Sequence, residues 1–397
     1  MAETAPRGER LNIGLFGRRN VGKSSLLNAL CGQSVSIVSN TAGTTTDAVA
    51  KIYELIPVGP VTFFDTAGID DIGEVGEKRV QATRRILYKS DIAVIVSDGC
   101  FGDFEKALIK TAKELNIPFV LVFNKADILP ESDVSFDFPF IRVSAEKKTN
   151  IEELKEILKS LVPDYVKNAP PLLRDLIKKG DTVICVCPID ASAPKGRLIL
   201  PQVQAIRDIL DAQAFAYTVQ NAEDCKNAIN NMKTPPALVV TDSQLIRQVK
   251  DAVPPSIPLT TFSTLFARYK GDLKKLCDGA EKLKNLKDGD KVLIAEACSH
   301  HVQEDDIACV KIPAAVKKAC GKNISFDFAA GIDFPADLEK YALVIHCGGC
   351  MLSRLETLRR LNECSARGVP VTNFGIALSA AQGILDRVVE PFITDEK

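Results

Sequence analysis

The chain has no tryptophan, and only three methionines, three histidines and six tyrosines among its 397 residues. So few aromatic rings leave no stacking platform of the kind that holds single-stranded nucleic acid. An excess of one charge is also missing. The 50 Lys and Arg residues stand against 51 Asp and Glu residues, a formal net charge of −1. That balance argues against a nucleic-acid surface and against a field that draws the chain to a membrane. Apolar runs are too short to span a bilayer, so no membrane segment is expected. The first residues, Met-Ala-Glu-Thr-Ala-Pro-Arg-Gly, lack the apolar core of a secretory leader, and the chain is read as cytoplasmic. Cysteine is the exception to this scarcity. Twelve are present, which is high for a reducing compartment. Disulfides are disfavoured there, so unusual cysteine spacing points to metal or redox chemistry.

The segment Gly17-Arg-Arg-Asn-Val-Gly22-Lys23-Ser24 reads G-x-x-x-x-G-K-S, a phosphate-binding loop. It follows the apolar run Leu11-Asn-Ile-Gly-Leu-Phe16 and opens the amphipathic run Ser24-Ser25-Leu-Leu-Asn-Ala-Leu30. The glycines allow backbone N–H groups to converge on a phosphate at a helix N-terminus. Lys23 is placed to reach the β/γ oxygens and Ser24 to hold Mg²⁺, and Gly17, Gly22 and Ser25 complete the cradle.

Asn124-Lys125-Ala126-Asp127 closes the strand-like run Phe119-Val-Leu-Val-Phe123, and the N-K-x-D spacing reads guanine. Asp127 can accept from guanine N1–H and the 2-amino group, which adenine does not offer, and a buried carboxylate left unpaired is costly. Asn124 can contact the base and brace the phosphate loop. Ser144-Ala145 follows Phe140-Ile-Arg-Val143 and is similar to the last G-protein motif, with Glu146 where Lys is usual.

Asp65-Thr66-Ala67-Gly68 closes Val61-Thr-Phe-Phe64. Asp65 is expected at Mg²⁺ through water and the Gly68 N–H at the γ-phosphate. Thr45, within Thr44-Thr45-Thr46-Asp47, is the switch threonine expected at Mg²⁺ and the γ-phosphate. Lys23, Thr45, Asp65 and Gly68 form the expected catalytic set. Ras-like proteins place Gln after D-T-A-G, but here the residue is Ile69, which cannot orient water. Asn20 matches a group of bacterial GTPases resembling the tRNA-modification GTPase MnmE. That resemblance implies K⁺ held by Asn20 and slow, K⁺-stimulated GTP hydrolysis.

Apolar strand-like runs alternate with amphipathic ones along the whole chain, which predicts an α/β class with mainly parallel sheets. Three domains are expected: 9–166, a P-loop GTPase domain; 172–272, a small α/β domain; and 273–397, a further α/β domain. Pro163 to Pro171 reads as a linker. The middle segment carries no catalytic constellation, which suits a dimerisation module. Cys185 and Cys187 alternate on its first strand and suit core packing. Helices are predicted over 202–211 and 222–231 with no strand between them, and one helix over 376–389.

All three histidines lie beside cysteines in the last segment. The pattern is Cys298-x-His300, then His346-Cys347-x-x-Cys350. Each half follows a predicted strand, Lys291 to Glu296 and Tyr341 to Ile345. Carboxyl ends of parallel strands form the binding crevice of an open sheet, so the two halves would meet on one edge. Three thiolates and a histidine suit tetrahedral zinc. Three thiolates with an exchangeable fourth ligand suit a [4Fe-4S] cluster. His300 and His346 are the candidates for that fourth position.

A G domain, a silent α/β segment and C-x-H…H-C-x-x-C together resemble the [FeFe]-hydrogenase maturation GTPases, the HydF family. The resemblance covers nearly the whole chain, including Pro188-Ile-Asp-Ala-Ser-Ala-Pro194-Lys-Gly-Arg197. It implies a homodimeric scaffold and carrier whose [4Fe-4S] cluster is held by Cys298, Cys347 and Cys350. Such a carrier receives a transient di-iron subcluster precursor from two radical-SAM hydrogenase maturases and delivers it to the [FeFe]-hydrogenase apoprotein. The alternative class is a regulatory P-loop GTPase with a structural zinc site.

Overall fold

The computed structural model describes residues 6–32, 37–38, 49–65, 86–99, 101–129, 135–189, 198–297, 307–331, 334–350 and 352–393. The chain divides into two compact units, Met1–Asn168 and Ala169–Lys397.

The first unit is built on a seven-stranded sheet in the order β2-β3-β4-β1-β5-β6-β7. Its strands are β1 (Leu11–Phe16), β2 (Ile37–Val38), β3 (Val49–Leu55), β4 (Gly59–Asp65), β5 (Ile92–Ser97), β6 (Phe119–Phe123) and β7 (Phe140–Arg142). Strands β2 to β4 pair antiparallel, and β4 through β7 run parallel with β1 among them. The central strands β1, β5 and β6 are buried along their whole length. This is why they read as continuous apolar runs rather than alternating ones. Side chains alternate across the sheet. Leu26, Leu27 and Leu30 of α1 (Lys23–Cys31) and Leu154 and Leu158 of α3 (Ile151–Ser160) join one face. Leu108, Ile109 and Ala112 of α2 (Asp103–Glu114) join the other. Each buried leucine contributes about 1.5–3 kcal/mol, so α1 is held by its packing and the loop before it is fixed at one end.

The second unit contains two four-stranded parallel sheets, in the orders β11-β10-β8-β9 and β13-β12-β14-β15. The first comprises β8 (Thr182–Val186), β9 (Phe215–Val219), β10 (Leu238–Thr241) and β11 (Leu259–Thr261). Helices α4 (Leu200–Asp211) and α7 (Phe262–Lys270) cover one face, and α5 (Ala222–Asn231) and α6 (Ile246–Ala252) the other. The second sheet comprises β12 (Lys291–Glu296), β13 (Ser325–Ala330), β14 (Leu343–His346) and β15 (Val371–Asn373). It is flanked by α8 (Leu273–Glu281), α9 (Ile312–Cys320), α10 (Arg354–Ala366) and α11 (Phe374–Ala381). The two sheets belong to one packed body. Thr260 Oγ1 donates to the Val388 carbonyl at 2.8 Å, and a Cβ on Gly375 would lie 2.1 Å from Ser263 Cβ.

Two local expectations change. A strand, β9, occupies the stretch between α4 and α5, where none was predicted. It is a sheet edge with Phe215 and Tyr217 exposed, so no buried run announces it. The helix expected over 376–389 stops at Ala381 and restarts at Leu385. Gly383, at φ 69°, supplies the left-handed turn that ends it.

Candidate nucleotide and thiol sites

The motifs of the first unit gather at one sheet edge because β1, β4, β5, β6 and β7 all end there. Gly17 follows β1 and bends sharply, and a Cβ on it would sit 2.2 Å from the Val96 carbonyl oxygen. Gly22 has φ 92°, and a Cβ there would lie 2.2 Å from Asn124 Nδ2. Both positions require glycine. Asn20 takes a left-handed conformation at φ 62° and is exposed.

Lys23 is buried, with Nζ donating to the carbonyls of Gly17 at 2.6 Å and Arg18 at 3.0 Å. It therefore spans the loop that the glycines shape. Ser24 Oγ donates to Asp65 Oδ2 at 2.5 Å, which brings together two oxygens suited to a hard cation. Ser25 lies one residue further along α1 and is exposed. Asn124 is buried and ties three motifs together. Its Nδ2 donates to the Val21 carbonyl at 3.0 Å, and its Oδ1 accepts from the Ala145 N–H at 3.1 Å. Lys125 Nζ donates to the Asn20 carbonyl at 2.7 Å. The Ser144 hydroxyl donates to Asp127 Oδ1 at 2.6 Å. This bond, with a backbone N–H, holds the Asp127 carboxyl below its usual range, so it stays an anion able to accept two N–H groups. Thr45 and Gly68, along with the Thr66-Ala67 and Ile69 that flank Gly68, lie outside the described residues.

One contributor at this edge escaped the motif reading. Arg18, inside the loop, forms a two-pronged pair with Glu105 of α2 at 2.8 and 2.9 Å. Glu105 is fully buried and also accepts from the Gly102 N–H at 2.9 Å. The spacing Gly102-x-x-Glu105 is a helix-start signal, with the acid at the third helical position. It marks Glu105 but not its partner, 87 residues away.

In the second unit, β12 and β14 are parallel neighbours, with Ala295 opposite His346. Ala297, the residue after this strand edge and immediately before Cys298, donates its N–H to Cys347 Sγ at 3.3 Å. Cys350 is partly exposed, three residues beyond Cys347. His346 is buried. Its Nδ1 pairs with the Cys347 carbonyl at 2.5 Å, while Nε2 is buried without a hydrogen-bond partner among the described residues. Burial and the nearby Arg360 lower its pKa to about 3, which keeps the ring neutral. Burial raises the Cys347 thiol. Two thiols and an orphaned imidazole nitrogen at one strand end fit a soft or borderline metal centre by their chemistry. Among the described residues, however, no three Cys, His, Asp or Glu side chains converge closely enough to hold an ion. Cys298 and His300 lie outside the described residues. Among the described residues, five further cysteines, Cys31, Cys185, Cys187, Cys225 and Cys364, are buried in the core. Cys185 and Cys187 are 0 and 1% exposed, and burial pushes both thiols up to about 12. Cys364 is likewise buried and raised to about 12.

Comparison with known families follows the same division. The model described as hydrogen maturase F dimerization domain matches 172–271, and the one described as hydrogen maturase F tetramerization domain matches 274–391. Together they span more than half of the chain. The chain belongs to the hydrogen maturase F family. A model described as 50S ribosome-binding GTPase matches 12–125, the phosphate loop to the guanine motif. Two hydrogen maturase F domain matches are thus joined in this chain to a GTPase-domain match. The two association domains support self-association.

Among curated relatives, GTPase Der of Wolinella succinogenes is 35% identical over 185 residues, 42% of this chain and 39% of that protein. The tRNA modification GTPase MnmE of Heliobacterium modesticaldum is 35% identical over 177 residues, 41% of this chain and 37% of that protein. The chain therefore spans about two fifths of the length of the curated relatives it matches. Among solved structures, the G domain of the T. maritima FeoB iron transporter aligns at 22% identity and a TM-score of 0.32, covering 39% of this chain and 99% of that one. Among the described residues no helix is long and apolar enough to cross a membrane.

Proposed function

We propose that this chain is a GTPase scaffold that binds a [4Fe-4S] cluster, takes up the di-iron subcluster precursor and transfers it to the [FeFe]-hydrogenase apoprotein. The observation that carries this reading is the hydrogen bond from Ala297 to Cys347. It ties Ala297, the residue before Cys298 in sequence, to Cys347 of the Cys347-x-x-Cys350 turn, in a chain of the hydrogen maturase F family. Cys298, Cys347 and Cys350 would hold the cluster, with His300 or His346 at the fourth position. The cluster supplies an iron site at which a second metal unit can dock and leave. Two radical-SAM maturases are the proposed donors of the precursor.

The division of labour we propose follows 9–166 for GTP, 172–272 for dimerisation and 273–397 for the cluster. A homodimer acting in the cytoplasm, without nucleic acid or membrane, fits the near-neutral charge and the exposed edge of β9. Lys23, Thr45, Asp65 and Gly68 form the hydrolytic set. Gly17, Gly22, Ser24, Ser25, Asn124, Lys125, Asp127, Ser144 and Ala145 hold the nucleotide, and Ser24 and Thr45 hold Mg²⁺. Transfer is the direct test. The loaded chain mixed with apohydrogenase under anaerobic conditions should generate hydrogen evolution, and an inactive mixture from a fully loaded chain would refute the carrier role.

Asn20 is the proposed K⁺ ligand, in a left-handed turn at the loop mouth. K⁺ would add positive charge where other systems use an arginine. GTP turnover in K⁺ should exceed that in Na⁺ on the order of tenfold, and Asn20→Ala should remove the difference. Equal rates in the two salts would remove this role.

A further inference from the structure

The turn that carries Cys347 and Cys350 is held from behind by a cation supplied from the middle segment. Lys270 is the last residue of α7 and is 2% exposed. Its Nζ donates to the carbonyls of Leu352 at 2.8 Å, Cys350 at 3.1 Å and Gly349 at 3.3 Å. An ammonium has three N–H donors, and these carbonyls offer it three acceptors. Lysine is almost never this deeply buried without such compensation. The return connection is also cationic. Arg354, at the start of α10, donates to the carbonyl of Tyr269 and, at 3.4 Å, to that of Arg268, at the C-terminal turn of α7. Two cations thus cross between the same two stretches of chain. Gly349, at φ 64°, gives the turn its shape. The cavity bordered by Lys270, His346, Cys347, Gly348 and Thr357 is only about 10 Å³, room for about one water. The turn is therefore seated on α7.

We propose that Lys270 is a positioning residue for the cysteine turn: it fixes the backbone that presents Cys347 and Cys350. The middle segment is then part of the metal site as well as an association module. The geometric half of this proposal stands on the apo chain, and the metal half rests on the cluster-binding reading above.

The test uses the full chain with Lys270→Met, which keeps the stem and removes the donors. In the metal-free protein, amide hydrogen exchange across residues 347–352 should accelerate on the order of tenfold while β12 and α11 stay protected. Wild-type exchange in that turn overturns the proposal. Should Lys270→Met fail to fold, Lys270→Gln retains two donors on a shorter stem, and its turn should exchange at an intermediate rate. Wild-type protection in that variant also overturns it. Iron retained after anaerobic reconstitution is read separately and should be lower in Lys270→Met than in wild type. Equal iron with a loosened turn refutes the link to metal holding. A wild-type chain that takes up no iron refutes the cluster reading, and the exchange data still decide the role of Lys270.

Discussion

Asp127→Asn is expected to weaken GTP binding by about a thousandfold or more and to shift preference toward xanthosine triphosphate. The reason lies in the fixed orientation of the carboxylate. Ser144 donates to Oδ1, which leaves the second oxygen of an ionised group for the base edge. Guanine offers two N–H donors to that carboxylate. In the variant, the amide would keep Oδ1 toward Ser144 and turn its NH₂ toward the base, so two donors would face each other. Xanthine carries a carbonyl in place of the 2-amino group and would accept from that NH₂. Competition binding with GTP and xanthosine triphosphate measures the switch, and unchanged GTP affinity would undo the assignment of Asp127 to guanine.

The parts of the candidate site that are legible in the sequence are those fixed by local geometry. Gly17 and Gly22 sit where any side chain would strike the Val96 carbonyl or the Asn124 amide, so the motif spacing records a steric demand. The run Phe119–Phe123 is buried on both faces, and the residue after it, Asn124, must emerge at the sheet edge. Leu343–His346 places Cys347 at its sheet edge by the same logic.

Contacts between distant segments leave no such trace. Arg18 meets Glu105 across 87 residues, and Lys270 meets the cysteine turn across about 80. Neither partner's local pattern specifies the other. Lys270 reads in sequence as an ordinary basic residue in a last helical turn. The strand Phe215–Val219 is hidden for a different reason: an edge strand with exposed aromatics has no buried period to detect.

Cys347→Ala is expected to abolish iron retention while Lys23→Ala leaves it intact. The thiol of Cys347 is raised by burial, so it becomes a thiolate chiefly when a metal replaces its proton. Removing it takes away the sulfur to which Ala297, the residue before Cys298 in sequence, is already tied. Cys350 and Cys298 cannot replace a third thiolate, and the buried histidine adds one nitrogen at most. Lys23 lies in the first compact unit, whereas Cys347 lies in the second. Its loss removes positive charge from the phosphate site and touches no thiol.

The most direct measurement is anaerobic reconstitution of the wild-type chain with iron and sulfide, followed by iron analysis, visible absorption and EPR of the reduced protein. A brown protein with about four irons per chain and a reduced-cluster signal is predicted, lost in Cys298→Ala and Cys347→Ala and kept in Lys23→Ala. A colourless protein that takes up no iron and holds one tightly bound zinc would contradict the carrier reading.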